Sequence, residues 1–370
     1  MSGGNNVHIG SDIDRLAKLY IEPTNRCNLD CRTCMRQNWE EGLGFMDFAL
    51  FEKIVAGLRS FPVAPGIFFG GYGEPLSHAR IADMVALAKA AGGEVELISN
   101  GILLDDDMAG RLTAAGLDRL WVSIDGASPA SYADVRLGDH LPEIIGNLES
   151  LQKKKRKPEL GISFVAMKRN IADLPAVLDL AVKLGASRFS PSNVEPYTED
   201  MEKEVLYGRV VFEPLPEEGA KVPRLDPQVI AEKTLERMDV LFPSARSHMS
   251  LAPGRKGLCP FLERRSASVR WDGRVGPCLP LLHGHTVFPN GHSRTWPEFH
   301  FGSLGERSLA DLWNSGAWRD FRRKLDEFSF APCSTCNSCD LPDINNEDCY
   351  GNVHPACGGC LWSQGFIQCP

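Results

Sequence analysis

A chain of 370 residues, 43% hydrophobic and 24% charged, is globular in composition and long enough for two domains. Its formal net charge of −8 argues against broad nucleic-acid binding, which needs a positive surface to displace counterions from phosphates. No apolar run reaches the length of a membrane span, and Met1 to Gly10 lack the basic-then-apolar order of a signal peptide, so a cytoplasmic protein is expected. In that compartment thiols stay reduced, and 12 clustered cysteines point to metal or catalysis rather than disulfides.

In chain order, residues 16–21 form an apolar run suited to a buried strand, followed by a turn at Pro23 and the first cysteines. Residues 48–58 carry Phe48, Phe51, Ile54, Val55 and Leu58 at helical spacing, and 67–69 then run into glycines. A helix over 81–91, a strand over 95–99 ending at Asn100-Gly101, and a helix over 108–115 lead to a strand at 120–124. A helix over 141–152, a strand over 162–167, a helix over 174–184 and a sixth strand from Arg188 complete the pattern. The basic run from Lys153 to Lys157 falls at a predicted helix end, where solvated lysines complement the helix dipole.

Strand–helix alternation at this interval implies parallel βαβ units. Six of them predict an α/β fold, a partial (β/α)6 TIM-like barrel over 16–197 behind a tail of 1–15, although periodicity does not separate a barrel from an open sheet. Residues 198–258 are acidic and dotted with prolines, with one predicted helix at 227–241; they read as a connector or lid. Residues 259–370 hold nine of the 12 cysteines and few regular elements, as expected where metal clusters replace a hydrophobic core.

Cys27, Cys31 and Cys34 have the spacing C-x3-C-x2-C. Three thiolates on one tight loop can ligate three irons of a [4Fe–4S] cube and leave the fourth open. Structural clusters and structural zinc normally take four protein ligands, so the odd triplet implies an iron that binds substrate or cofactor. A zinc knuckle borrowing a distant ligand is the alternative. The triplet, the turn Gly70-Gly71-Tyr72-Gly73-Glu74-Pro75, Ser99-Asn100-Gly101 and Ser123-Ile124-Asp125-Gly126 follow one another in the order and at the spacing of radical S-adenosylmethionine (SAM) enzymes, which the segment 16–195 resembles. The resemblance implies that the open iron chelates SAM and that reduction yields a 5′-deoxyadenosyl radical. It places Glu74 at the SAM ammonium, Gly71 and Gly73 along its methionine part, Asn100 in the cofactor site, Ser123 and Arg136 at the carboxylate, Asp125 on the ribose side, and 165–170 along the adenine. Such sites lie at the carboxyl ends of barrel strands. Thr33 departs from the aromatic residue common before the third cysteine, so adenine packing is expected to draw on another side chain.

Farther on, Cys259-x13-Gly273-x4-Cys278 resembles the opening of the SPASM module, which carries auxiliary [4Fe–4S] clusters. There follow Cys333, Cys336, Cys339, Cys349, Cys357, Cys360 and Cys369. The resemblance assigns Cys333, Cys336, Cys357 and Cys369 to an outer cluster. Cys259, Cys278 and Cys360 go to an inner one, with Cys339 or Cys349 as a possible fourth ligand. That is one cysteine more than two fully ligated cubes require, and a zinc ribbon is the alternative. His283, His285, His292 and His300 read as a polar loop or as metal ligands.

Auxiliary clusters suit a substrate radical that must lose an electron, hence a protein or peptide maturase fed by a reductant such as ferredoxin or flavodoxin. The tail from Cys357 to Pro370 resembles the branch named as maturases of tungsten-cofactor oxidoreductases. A sulfatase-type maturase would place Asp after the second inner cysteine, where Leu279 stands. A ribosomal-peptide modifier would need a separate peptide-binding partner. Small-molecule chemistry such as molybdopterin synthesis, or plain electron transfer, completes the alternatives.

Overall fold

The computed structural model describes residues 14–207, 230, 232–243, 245, 259–289, 291–334, 336 and 339–370. Residues 1–13 of the expected tail, and 208–229 and 246–258 of the expected connector, lie outside the described residues. Six strands, β1 (Lys18–Ile21), β2 (Gly66–Phe69), β3 (Val95–Ser99), β4 (Arg119–Ser123), β5 (Glu159–Ala166) and β6 (Arg188–Asn193), lie side by side in chain order, all parallel. Helices α1 (Phe48–Leu58), α2 (Ile81–Ala90), α3 (Asp106–Ala115), α4 (Pro129–Arg136), α5 (Leu141–Lys153) and α6 (Leu174–Lys183) connect them.

Strand alternation sorts the side chains. Leu19, Ile21, Ile67 and Phe69 pack with the apolar helix faces in the main core, while Tyr20, Phe68 and Trp121 form a second cluster with the C-terminal module. Near the strand beginnings, Glu96 accepts from Lys18 and Arg119 at 2.8 Å each and from Trp121 Nε1 at 3.0 Å. Burial opposes its ionisation, but Lys18 and the other two donors outweigh that and pull its carboxyl down to about 2. This network closes the end of the sheet away from the strand exits.

Helix α4 was not legible in the periodicity, being short and polar. Ser128 and Ser131 form its capping box, and Pro129 sits in its first turn. It matters because Arg136 is its last residue.

The sheet remains open, and it continues past β1. Beyond the sixth strand come α7 (Glu199–Glu202) and α8 (Glu232–Leu241), the described part of the helix expected over 227–241. Phe242 after α8 lies 5.5 Å from Phe189 of β6, centroid to centroid. In the cysteine-rich region, β7 (Ser266–Val269) pairs parallel with β1, and β8 (Arg274–Gly276) pairs antiparallel with β7. A hairpin of β9 (His285–Val287) and β10 (Arg294–Trp296) follows, then β11 (Gly302–Ser303) against β8. One sheet therefore runs β11-β8-β7-β1-β2-β3-β4-β5-β6, and among the described residues no strand closes it at β6. No helix among the described residues is long and apolar enough to cross a membrane.

Candidate active site and cluster cavities

The exits of β1 to β6 surround a cavity of about 1150 Å3, part of it open to solvent. Cys27, Cys31 and Cys34 all line it. Their loop is held from outside: Arg32 N donates to Val135 O at 3.1 Å and Arg32 Nε to Asp134 O at 2.7 Å, tying it to α4. Within the loop, Cys34 N donates to Cys31 O at 3.1 Å. Burial raises the Cys27 thiol and pushes that of Cys34 up to about 12. Such thiols favour replacing their proton by a metal.

Gly71, Gly73, Glu74, Asn100, Ser123, Val165 and Arg136 line the same cavity. The glycines have a reason of their own. A Cβ on Gly73 would lie 2.1 Å from the Thr24 carbonyl oxygen, and one on Gly71 (φ +143°) would lie 2.7 Å from the Glu22 side chain. The turn is thus pressed against the exit of β1, and protein packing already demands glycine before any ligand arrives. Glu74 is buried, accepting from Leu76 N at 2.9 Å and Asn100 N at 2.8 Å; burial nonetheless raises its pKa. The Ser99 side chain bonds to Glu74 as well, and of the carboxylate's roughly four lone-pair sites one is left for a further donor. Asn100 turns its amide toward the cysteine loop, donating to Asn28 Oδ1 at 2.7 Å.

Asp125 is placed differently from the ribose-side expectation. It does not line the cavity; it is wholly buried, 2.5 Å from Arg136 Nη2, and accepts from Val165 N at 2.7 Å. Its carboxylate aims Arg136, whose Nη1 also lies 3.7 Å from Cys31 Sγ. Burial opposes the Arg136 charge, but Asp125 and Cys31 keep its pKa above the ordinary value. Asn170 likewise braces rather than lines, donating to Asp125 O and Val165 O at 3.0 and 2.9 Å. Two polar atoms of lining residues, Arg136 Nε and Asn193 Oδ1, are buried without hydrogen-bond partners among the described residues. An unsatisfied donor and acceptor fit a zwitterionic ligand such as SAM. Tyr72, Tyr197 and Trp362 supply the aromatic surface that Thr33 does not.

The C-terminal thiols are grouped otherwise than the resemblance implied. Cys259, Cys278, Cys357 and Cys360 line one cavity of about 680 Å3, part of it open to solvent, walled by Phe261, Trp296, Trp318 and Phe321. The turn Cys357–Gly359 sends both ends of its C-G-G-C unit into that cavity, so Cys357 is with the inner set, not the outer. Burial pushes Cys259 to about 11 and Cys360 to about 12, and Cys278 and Cys357 well above the ordinary value. Cys369, also expected in the outer set, instead lines the first cavity, with Arg264 Nη1 3.3 Å from its sulfur. Four thiols remain, Cys333, Cys336, Cys339 and Cys349. The Cys333 thiol feels Cys349 and Cys336, and buried Arg294 feels Cys333, Cys336 and Cys339. Among the described residues Arg294 Nε and Nη1 have no hydrogen-bond partners, which fits a place beneath an anionic cluster. With this grouping, Cys357→Ala protein should hold about eight irons where the parent holds about twelve, whereas Cys369→Ala should lose none; equal losses measured by iron analysis would contradict the regrouping.

The histidines do not converge. His283 lies between Glu22 and Glu41, His285 Nδ1 is 3.0 Å from His283 O, and burial pulls the His285 pKa down to about 4. Among the described residues no three His, Cys, Asp or Glu gather tightly enough for one metal ion. Sequence reasoning passed over Glu195, Arg264 and Arg294; only Glu195 carried a signal, following a strand at its carboxyl end like the other site residues.

Residues 21–181 match the radical SAM superfamily, and 259–340 match SPASM, an iron–sulfur cluster-binding domain. The chain is 32% identical over 362 residues to the tungsten-containing aldehyde ferredoxin oxidoreductase cofactor-modifying protein of Pyrococcus furiosus, covering 95% of this chain and 96% of that one. A PqqA peptide cyclase of Granulibacter bethesdensis is 26% identical over 337 residues, 88% of this chain and 81% of that one. Native anSMEcpe with bound AdoMet superposes with a TM-score of 0.61 at 16% identity, over 95% of this chain and 96% of that one, a likeness of fold. The chain belongs to the radical SAM superfamily, as a SAM-dependent iron–sulfur enzyme of the SPASM-bearing, maturase type.

Proposed function

We propose that this enzyme matures a tungsten-cofactor oxidoreductase in the cytoplasm, drawing electrons from a ferredoxin or flavodoxin. The observation that carries the reading is one cavity joining three thiols, Glu74 and Arg136, backed by a second cavity lined by four thiols. The relative from Pyrococcus furiosus, named for modifying the cofactor of such an oxidoreductase, supports the choice of partner.

Cys27, Cys31 and Cys34 would hold the reducing cluster; Cys259, Cys278, Cys357 and Cys360 the inner auxiliary cluster; and Cys333, Cys336, Cys339 and Cys349 the outer. Bound to the reduced cluster, SAM supplies the carbon radical that takes a hydrogen atom from the substrate. Glu74, fixed by two backbone N–H groups, accepts from the SAM ammonium. Arg136, aimed by Asp125, and Ser123 hold the carboxylate. Gly71 and Gly73 let the turn lie along the methionine part, and Asn100 orders the cysteine loop behind it. Tyr72, Tyr197 and Trp362 exclude water from the radical.

The test is incubation of reduced holoenzyme and SAM with an unmodified tungsten-class oxidoreductase. Release of 5′-deoxyadenosine together with a mass change in that protein or its cofactor is expected. A neighbouring gene should encode such an oxidoreductase. Release without any change, beside a gene for a short precursor peptide, would redirect the reading to peptide modification.

A further inference from the structure

Glu195 stands where the two cavities meet. It follows β6 by two residues, is 7% exposed, and lines both the cavity of Cys27, Cys31 and Cys34 and that of Cys259, Cys278, Cys357 and Cys360. Both of its donors meet one oxygen: Tyr197 Oη at 2.8 Å and Trp362 Nε1 at 2.6 Å donate to Oε2. Oε1 accepts from no donor among the described residues.

Ionisable groups on three segments around Glu195 sense its charge. They are Tyr72 on the glycine turn, Tyr197 and Tyr207 beyond β6, and Cys360 on the C-G-G-C turn. Among the described residues no cation pairs with it. A buried carboxyl is ordinarily paired with a cation, and one left unpaired at a junction of cavities is placed for proton transfer. Burial pushes its pKa up to about 7 against the two donors, which suits that task.

We propose that Glu195 is a catalytic acid–base residue, whose Oε1 takes the proton that the substrate releases as its electron passes to the inner auxiliary cluster. The inference rests on the reading that the four-thiol cavity holds a [4Fe–4S] cluster able to act as oxidant. The substrate first loses a hydrogen atom to the SAM-derived radical. The resulting substrate radical then loses one electron to the auxiliary cluster and one proton, from the O–H, N–H or S–H beside the radical carbon, to Glu195. A C=O, C=N or C=S bond forms. The substrate is oxidised by two electrons, one leaving with the hydrogen atom and one reducing the cluster, and Glu195 ends as the neutral acid.

A direct test is potentiometric titration of the auxiliary clusters in holoenzyme without substrate, followed by electron paramagnetic resonance from about pH 6 to about pH 9. If reduction draws a proton onto Glu195, the inner midpoint falls with rising pH, by up to about 59 mV per unit for a one-electron, one-proton couple. Glu195→Gln should flatten that dependence, and Glu195→Asp should keep it. A slope unchanged in Glu195→Gln, or absent from the parent, overturns the proposal. Tyr197→Phe and Trp362→Phe each remove a donor from the carboxylate, raise its pKa and should move the sloping window to higher pH; they decide the matter if Glu195→Gln fails to load iron. With a substrate in hand, product formed per 5′-deoxyadenosine should fall about 10²- to 10⁴-fold in Glu195→Gln, and an unchanged ratio likewise overturns the assignment. The potentiometric arm uses no substrate, so an oxidoreductase that stays unmodified counts against the choice of partner alone.

Discussion

Cys31→Ala protein, reconstituted anaerobically and reduced, is expected to release no 5′-deoxyadenosine from SAM while keeping about eight of the parent's roughly twelve irons. The loop does not depend on that thiol for its shape. The Cys31 carbonyl accepts from Cys34 N at 3.1 Å and from Gln37 Nε2 at 3.3 Å, and both bonds survive loss of the side chain. What fails is donor count: two sulfurs cannot hold the cube that three barely complete. The Arg136 guanidinium also loses the sulfur lying 3.7 Å away, so SAM binding should weaken alongside. Chromatography of 5′-deoxyadenosine and the cluster's response to added SAM measure the effect. Release at the parent rate would show that the cluster sits elsewhere.

A second large effect is expected at the seam between the barrel and the cysteine module. Both ring nitrogens of buried His283 meet carboxylates: Nε2 lies 2.9 Å from Glu22 Oε2, and Nδ1 lies 2.7 Å from Glu41 Oε2. Burial disfavours the charged ring, but Glu22, and then Glu41, outweigh it and raise the pKa above the ordinary 6.5. Arg270 completes the group, 2.6 Å from Glu41 and 2.5 Å from Glu298, and Arg274 pairs with Glu298 as well. His283→Leu would strand Glu22, fully buried, without its counter-charge. Breaking a buried pair from one side costs about 3–5 kcal/mol.

The sign of the pH dependence follows. Because the folded-state pKa is raised, the stabilisation is complete below about pH 6.5 and is lost as pH rises through the folded value. Denaturant unfolding should therefore show the parent weakening on the alkaline side of neutrality, with that component missing from His283→Leu. A variant within about 1 kcal/mol of the parent, with the same pH profile, would mean that water replaces the ring at no cost. Glu22 also accepts from Tyr72 N at 3.1 Å, so the glycine turn should loosen and SAM affinity fall with stability.

Cys27, Glu74, Asn100 and Ser123 were readable because each sits at or just past the end of β1, β2, β3 or β4, where chain order alone brings them together. Asp125 satisfies the same rule, yet its side chain turns inward because α4, short and polar, delivers Arg136 to it. The direction of one side chain depended on a helix that periodicity does not reveal. Cys259, Cys278 and Cys360 were readable as one set, but Cys357 was assigned apart from them, and what brings the C-G-G-C turn to Cys259 and Cys278 is a module docked through β7 on β1, a pairing across more than two hundred residues. Spacing rules carry no information about such a partner. Glu195 and Arg294 belong to no motif, and only their positions in the folded chain give them a part.

The ladder between β1 and β7 also ties the pocket of Cys27, Cys31 and Cys34 and the pocket behind it to one sheet. If the two pockets hold clusters as proposed, the distance between them is set by the backbone hydrogen bonds of that sheet. A fragment lacking β7 would not be a smaller working unit, because it would present β1 as a raw edge, with a row of amides and carbonyls open to the next molecule.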